Sequence, residues 1–130
     1  MRFYEDQVLT RYIWDHYSYL MTEQERERQS IYFWIQSAYT TDHLRMKAFM
    51  LERANKMAEQ QGFEDMAVTL DQLECLDEFI KKHHQFRNTT CDRIVHDFVD
   101  KIFINRCPAC DEIVLTPKAQ QCLWCGHDWH

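Results

Sequence analysis

The sequence is poor in the residues that break secondary structure. Its 130 residues include two glycines and two prolines. An all-β sandwich or barrel needs many turns, which draw on both residue types, so this shortage favours helices. A glycine-rich phosphate loop cannot be built from two glycines, and no nucleophile motif or dinucleotide fingerprint is present. The composition therefore predicts a mainly α-helical protein without a recognisable catalytic motif.

Long apolar runs and an excess of positive charge are also missing. No run approaches the length of about 18 apolar residues that marks a transmembrane helix. The N-terminal segment is acidic by Glu5 and lacks the apolar core of a signal peptide. We therefore expect a cytoplasmic protein. The net charge is −6, and residues 101–130 carry three basic and three acidic side chains, a balance that disfavours nucleic acid as the partner.

Large apolar side chains are abundant. Hydrophobic residues make up 45% of the chain, with four Trp, eight Phe and six Tyr, which is sufficient for a buried core. In the first hundred residues, apolar side chains recur every three or four positions, as in amphipathic helices. We predict a bundle-like domain of about five helices over residues 1–104.

The helix boundaries can be predicted from capping residues, which satisfy the free amides and carbonyls at helix ends. The first helix runs from about residue 3 to residue 20. Capping residues mark the start of four further helices: Thr22 with Glu25, Thr41 or Asp42, Thr69 with Gln72, and Asn88 to Thr90. Gly62 supplies a left-handed stop for the third helix. The apolar run over 31–35 could instead be a short buried strand, but the capping box before it favours helix.

Four of the six cysteines form two CxxC pairs near the C-terminus. Cys107 and Cys110 are the first pair, and Cys122 and Cys125 follow after an eleven-residue gap. Zinc prefers four thiolates in a tetrahedron, and paired CxxC motifs in a reducing compartment are typical of metal sites. The gap is long enough for two short strands and a turn. We therefore predict one structural zinc ion held by these four cysteines, with a β-hairpin connecting the two turns.

The segment from Arg106 to Trp129 resembles the zinc-ribbon family, in which two cysteine knuckles hold one metal ion. Pro108 in the first knuckle and Gly126 after the second fit this pattern, whereas Asp111 stands where a glycine would match. The resemblance implies a small zinc ribbon, which we assign to residues 105–130. No flexible linker precedes it, so we expect it to be docked on the helices. Ribbons serve nucleic acids, proteins and stability alike, so the resemblance leaves the function open.

Other interpretations of the cysteines remain. Iron in a rubredoxin-like site would use the same four ligands. A redox disulfide between Cys107 and Cys110 would leave the second pair without a role, and no helix follows it. His127 or His130 could replace a cysteine ligand, although an exposed or packing role fits better when four sulfurs are available. The two remaining cysteines are expected to be buried thiols in helices: Cys75 and Cys91.

Histidines on the predicted helices raise the alternative of a metalloenzyme. Asp92 and His96 are spaced i, i+4, but the Glu-x-x-His pairs typical of metal sites in helical bundles are absent from the sequence. Surface or hydrogen-bonded histidines are therefore favoured over a second metal site. The same interpretation applies to four further residues: His16, His43, His83 and His84.

Aromatic side chains point to an interaction surface. In the tail, Trp124, His127 and Trp129, near Lys118, could stack the bases of a single strand, but packing against the helices is favoured. The first two helices carry a large aromatic set: Tyr12, Trp14, Tyr17, Tyr19, Tyr32, Phe33 and Trp34. It could form an ordinary core, or an interface with a protein partner or a second copy. We expect a non-catalytic protein-interaction or adaptor module; a nucleic-acid-associated regulator and a metalloenzyme are the alternatives.

Overall fold

The computed structural model describes the backbone of residues 3–74 and 76–130, and the side chains of these residues from Gln7 onwards. It contains four α-helices: Phe3–Tyr17 (α1), Glu23–Thr40 (α2), Leu44–Gln61 (α3) and Asp77–Asp97 (α4). Three short 3₁₀ segments connect them: Ser18–Leu20, Glu64–Met66 and Asp71–Glu74. The described residues form isolated β-bridges but no sheet. The expected mainly α-helical class is confirmed.

The helix count differs from the prediction because one helix replaces the fourth and fifth. α4 begins at Asp77 and continues without a break through Asn88 and Thr90, where the sequence predicts a cap. Thr90 is buried within the helix, next to the buried side chain of Cys91. Burial of this face outweighs the preference of these polar residues for a helix terminus, which amounts to about 1 kcal/mol.

The predicted capping box at Thr69 forms but opens only a short 3₁₀ segment. The Thr69 amide donates to Oε1 of Gln72 at 2.8 Å, and the Gln72 amide donates to the Thr69 hydroxyl at 3.3 Å. The segment behind this box, Asp71–Glu74, ends before α4 begins. The prediction that Cys75 is a buried helical thiol lies outside the described residues.

Two of the other predicted helix ends are confirmed and one is wrong. Thr22 and Glu25 form the predicted capping box of α2. Gly62 ends α3 with φ of 74°, a left-handed conformation that glycine adopts without strain. The cap of α3 is neither Thr41 nor Asp42, because Nδ1 of His43 accepts the Met46 amide at 3.3 Å.

The chain divides into two compact units, one of which is a continuous segment inserted in sequence into the other. One consists of Met1–Met21 with Phe86–His130, and the other of Thr22–Gln85. The second unit contains the α2–α3 helix pair, whose buried side chains include Ile31, Ile35 and Leu51. The predicted domains, 1–104 and 105–130, stay a prediction.

The core of the first unit includes a residue of the cysteine-containing tail. Six buried residues pack together in this core: Tyr12, Ile13, Tyr17, Cys91, Ile94 and Ile113. Ile113 lies between the two CxxC pairs and is 1% exposed, so the tail packs against helical residues of its own unit. The prediction that Cys91 is a buried helical thiol is confirmed.

The aromatic set of the first two helices splits between core and surface. Tyr12, Tyr17 and Tyr32 are buried, whereas Tyr19 and Phe33 are exposed. Part of the set therefore belongs to an ordinary core, Trp14 packs against that core, and the exposed Tyr19 and Phe33 are accessible to other molecules. No helix in the described part of the chain combines the length and the apolar character that spanning a membrane requires.

Candidate metal centre

Two tight turns bring the tail cysteines together. The Asp111 amide donates to the Cys107 carbonyl, and the Gly126 amide donates to the Cys122 carbonyl, both at 2.9 Å. Asp111 and Gly126 both have positive φ, 64° and 78°. Aspartate therefore adopts the left-handed conformation at the position where the ribbon pattern has glycine, as short polar side chains can.

The prediction that a β-hairpin connects the two knuckles is wrong, because the segment between them contains no strand. The isolated antiparallel bridges, Arg106 with Ile113 and Gln121 with Asp128, each flank one knuckle instead of joining the two. The segment between them is made of bends and turns over 115–118. One side chain bonds two carbonyls between the bridges, because Nδ2 of Asn105 donates to the Thr116 carbonyl at 2.9 Å and to the Ala119 carbonyl at 2.8 Å.

The four cysteine sulfurs form a group that fits one tetrahedral metal ion. All four lie within 4.8 Å of one another, and no described cysteine is in a disulfide. Sγ of Cys107 lies 3.7 Å from Sγ of Cys125, and Sγ of Cys110 lies 3.6 Å from Sγ of Cys122. A tetrahedral ion with metal–sulfur bonds of about 2.3 Å separates its ligand sulfurs by about 3.8 Å. Both of these sulfur–sulfur distances match this separation.

Backbone amides are directed at the first sulfur of each pair. The Ala109 amide donates to Sγ of Cys107 at 3.4 Å, and the Trp124 amide donates to Sγ of Cys122 at 3.3 Å. Cys107 and Cys122 are each 1% exposed. Amide donors stabilise the negative charge of a thiolate, and the thiolate is the form of cysteine that binds a metal.

The sulfur neighbours shift the cysteine pKa values in opposite directions. Burial opposes ionisation of Cys107, but the amides of Cys110 and Ala109 and the Cys125 thiol outweigh it and lower the pKa to about 7. At Cys110 the Glu112 amide favours the thiolate, yet burial and the neighbouring sulfurs raise the pKa to about 12. The Cys110 thiol therefore stays protonated at neutral pH without a cation, and metal binding must release its proton.

Hydrogen bonds from α1 position the start of the tail. The Tyr12 hydroxyl donates to the Phe103 carbonyl at 2.7 Å and accepts the Asn105 amide at 3.3 Å. The Tyr17 hydroxyl accepts the Phe103 amide at 3.0 Å. Burial raises the pKa of Tyr12, so its hydroxyl stays protonated and can donate. Sequence reasoning missed these roles, because they join residues about 90 positions apart and form no local motif.

Two further contacts tie the knuckle region to its surroundings. Nε1 of Trp124 donates to the Ile113 carbonyl at 3.1 Å. Nε2 of His16 lies 2.8 Å from the Leu115 carbonyl oxygen. His16 is thus a hydrogen-bonded histidine, as the sequence interpretation favours. The Trp124 hydrogen bond connects the second knuckle to the residue that follows the first knuckle and Glu112.

The histidines after the last cysteine pack or pair with neighbours. The ring of His127 stacks on that of Trp129, with the centroids 5.9 Å apart. Nδ1 of His130 is hydrogen-bonded to Oδ1 of Asp128. Trp129 is partly buried and packs against the cluster of Val114, Cys107 and Cys122. Trp129 therefore packs within the tail, whereas the sequence favours packing against the helices, and Lys118 is exposed.

The helix histidines do not assemble a second metal site in the described part of the chain. Among the described side chains, of residues 7–74 and 76–130, the four cysteines are the one group of three or more Cys, His, Asp or Glu side chains that could share an ion. His83 stacks on Tyr32 with centroids 4.7 Å apart, and Nδ1 of His96 faces Asp97 at 3.1 Å rather than Asp92. His43 caps α3, and His84 is exposed.

The site has to be interpreted from its own chemistry. In comparisons with known proteins, no protein-family model, curated protein or solved structure matches the chain. Centres with four thiolate ligands are typically structural, since catalytic zinc centres keep one position open for water or substrate. The arrangement can hold an ion and stabilise the tail, and it offers no open position for a reaction.

Proposed function

We propose that Cys107, Cys110, Cys122 and Cys125 bind one structural zinc ion and that the chain is a non-catalytic protein-interaction module acting as an adaptor. The observation that carries the proposal is the group of four sulfurs at the separation of a tetrahedral ion. Zinc is favoured because it binds four thiolates in a tetrahedron and has no redox chemistry of its own. Iron with the same ligands is the alternative that metal analysis excludes or supports.

The small apolar core of the tail supports a structural role for the ion. Val114 is the only fully buried side chain of this cluster that is not a cysteine, and Ala119 and Trp129 are partly buried against it. A segment of this size cannot offset its conformational entropy by so little apolar burial. Metal coordination would supply the missing folding free energy.

Exposed apolar side chains beside the sulfurs support a protein partner. We define the tail apolar surface as Leu115, Leu123 and Trp124, which are 54%, 73% and 48% exposed. Leu115 and Trp124 also line a groove of about 370 Å³ with Tyr12 of α1. Leu123 directly precedes Trp124 in the chain. Contiguous exposed apolar groups, such as those of Leu115 and Trp124 in this groove, mark interaction sites, and tryptophan is enriched among the residues that dominate binding energy.

The proposed zinc ion would also hold this surface in place. Leu123 and Trp124 are the two middle residues of the second CxxC pair. Their backbone follows the turn that the Gly126 amide closes on the Cys122 carbonyl. Coordination of both flanking sulfurs would fix this turn, so zinc binding and partner binding should be lost together.

Single-stranded nucleic acid fits the tail less well than protein. The tail from 101 to 130 has no net charge, and one of its two tryptophans is occupied by packing. Nucleic-acid binding would show itself by affinity for oligonucleotides that falls steeply with salt concentration. A homodimer would appear as twice the monomer mass in gel filtration.

The zinc part of the proposal is tested by metal analysis of cysteine variants. Wild type should contain one zinc per chain, and Cys110→Ser or Cys122→Ser should lose it together with amide protection of the tail. Cys91→Ser is the matched control, because Cys91 is also buried but lies outside the sulfur group. Unchanged zinc content and tail protection in Cys110→Ser would contradict the proposal, as would iron in the wild-type protein.

The interaction part is tested by capturing partners from the native host with two matched variants. Leu123→Asp should abolish binding of a partner that wild type captures. Leu44→Asp should leave binding intact, because Leu44 is equally exposed, at 71% against 73%, but lies at the start of α3. Loss of binding in Leu44→Asp alone would place the interface on the α2–α3 pair and refute the tail apolar surface.

A further inference from the structure

We infer that Cys125 is a site of oxidative modification, at which a hydroperoxide starts formation of a Cys107–Cys125 disulfide that dismantles the metal centre. The inference rests on the proposed function, because it concerns regulation of the same zinc site and of the tail apolar surface. It follows from the unequal exposure of the four cysteine residues and from the pairing of their sulfurs across the two knuckles.

The four cysteines differ in how easily a small oxidant reaches them. Cys107 and Cys122, the first residue of each pair, are each 1% exposed. Cys110 is partly buried, whereas Cys125 is exposed and is flanked by exposed residues on both sides. Cys91 is 2% exposed, and its sulfur is hydrogen-bonded to the Thr10 carbonyl. In the zinc-loaded centre all four ligands would be thiolates, so access decides among them and Cys125 is expected to react first.

The partner for a second step lies across the knuckles. Sγ of Cys107 is 3.7 Å from Sγ of Cys125, and a disulfide requires about 2.05 Å. Cys107 is buried, although Pro108 and Ala109 after it are exposed, while the residues from Leu123 to Asp128 are all exposed. The exposed second knuckle can therefore move toward Cys107 without moving a buried side chain.

The chemistry balances with one equivalent of hydroperoxide. The Cys125 thiolate attacks the peroxide, the O–O bond breaks, and Cys125 becomes a sulfenic acid while hydroxide or alkoxide leaves. The Cys107 thiolate then attacks the Cys125 sulfur, the S–O bond breaks and hydroxide leaves. The two cysteines lose two electrons, which reduce the peroxide. Only Cys110 and Cys122 remain as thiolates, too few to hold the ion in a closed site.

The consequence for the tail follows from where the bond forms. Leu123 and Trp124 lie between Cys122 and Cys125, so pulling Cys125 toward Cys107 distorts the turn that presents them. Oxidation would remove zinc and the tail apolar surface in one event. Thiol reductant and added zinc would restore both.

The test is peroxide titration of the zinc-loaded full chain, followed by two readouts. Zinc release is measured with a colorimetric chelator, and disulfides are mapped by peptide mass spectrometry without reduction. We expect one zinc released for each Cys107–Cys125 disulfide. A first disulfide within either CxxC pair, or first modification of Cys91, would overturn the inference. Wild-type protein without zinc would refute the proposed function, while the mapping would still decide which pair forms.

Two ligand exchanges provide matched variants. Cys125→His and Cys110→His each keep a zinc-binding side chain, because zinc accepts three cysteines and one histidine. Cys125→His should slow peroxide-driven zinc release by about tenfold or more, since the accessible thiolate is gone. Cys110→His should release zinc under peroxide faster than Cys125→His does, and should still form the Cys107–Cys125 disulfide, because both of these cysteines remain. Equal protection by both variants would refute the inference, and the wild-type mapping decides it if either variant fails to bind zinc.

Discussion

Single side chains connect the tail to α1, and Asn105 is central among them. Asn105 is 6% exposed and comes two residues before the first metal-site cysteine. Its side-chain nitrogen Nδ2 donates to two carbonyls between the knuckles, those of Thr116 and Ala119. Its backbone amide donates to the Tyr12 hydroxyl. One polar residue thus holds both the entry of the tail and the loop that connects its two halves.

Asn105→Ala should destabilise the first unit by about 1–3 kcal/mol, because the Thr116 and Ala119 carbonyls lose their donor. The measurement is urea unfolding in the presence of zinc. Asn88→Ala is the matched control, since Asn88 is exposed on α4 and its truncation should change stability by less than about 0.5 kcal/mol. Equal effects of the two substitutions would show that the Asn105 bridges contribute nothing measurable.

Asp65 gives the second unit a defined pH dependence. Its hydrogen bond with Arg28, 3.1 Å from Nη1 to Oδ2, lowers the pKa of Asp65 below its usual value of 3.8. A carboxylate with a lowered pKa in the folded state stabilises above the unfolded pKa, and this contribution disappears as pH falls through the folded pKa. The Arg28–Asp65 pair should therefore contribute to the folding stability at neutral pH and not in strong acid.

Asp65→Asn should lower stability at pH 7 by less than about 1 kcal/mol, because the carboxylate is 58% exposed and screened by solvent. The difference from wild type should shrink as the pH falls below 3.8. Thermal unfolding between neutral pH and pH 3 measures it, with the exposed Asp71→Asn as a charge-matched control. A difference that stays constant across this range would rule out a role of the charge.

At the scale of elements, caps determine where the helices begin, unless packing opposes them. The box at Thr22 opens an eighteen-residue helix, whereas the box at Thr69 precedes a four-residue 3₁₀ segment. The polar run at Asn88 lies inside α4, where Thr90 is buried. The same local chemistry therefore leads to three outcomes, which depend on what the following residues can pack against.

Thr22→Ala should destabilise α2 by about 1 kcal/mol, because the Glu25 amide loses the Thr22 hydroxyl as its acceptor. Urea unfolding and hydrogen exchange of the first turn of α2 measure this loss. Thr40→Ala, at the other end of the same helix, removes a hydroxyl that bonds only the Ser37 carbonyl, and it should have a smaller effect. A larger effect of Thr40→Ala would contradict the capping argument.

At the scale of the whole molecule, the two units have separate sources of stability. The unit Thr22–Gln85 has its own buried apolar residues, such as Ile35 and Ala54. The other unit includes the sulfur group and the tail residue Ile113, which is buried in its core. Only this unit should depend on the proposed metal ion.

Removal of zinc with a chelator should therefore abolish hydrogen-exchange protection of residues 105–130 and weaken that of α1. The α2–α3 pair should keep its protection, because it belongs to the unit Thr22–Gln85, which contains none of the four metal-site cysteines. Exchange followed by mass spectrometry distinguishes these segments, and added zinc should reverse the change. Uniform loss of protection along the chain, or no loss in the tail, would contradict separate metal dependence.

Local chemistry made much of this protein predictable. The spacing of Cys107, Cys110, Cys122 and Cys125 predicts a group of sulfurs, and the four sulfurs are found together. The capping box at Thr22 and the left-handed stop at Gly62 also follow from neighbouring residues alone. These features depend on contacts within a few positions, where side-chain chemistry and backbone geometry act directly.

Features that depend on contacts between distant residues could not be predicted from the sequence and became visible only in the folded structure. The merging of two predicted helices into α4, the burial of Ile113 and the bridges of Asn105 each depend on groups brought from far along the sequence. A capping preference of about 1 kcal/mol is overcome where burial of a helix face contributes more. Sequence therefore indicates which short-range interactions are available, and the packing of distant segments selects those that form.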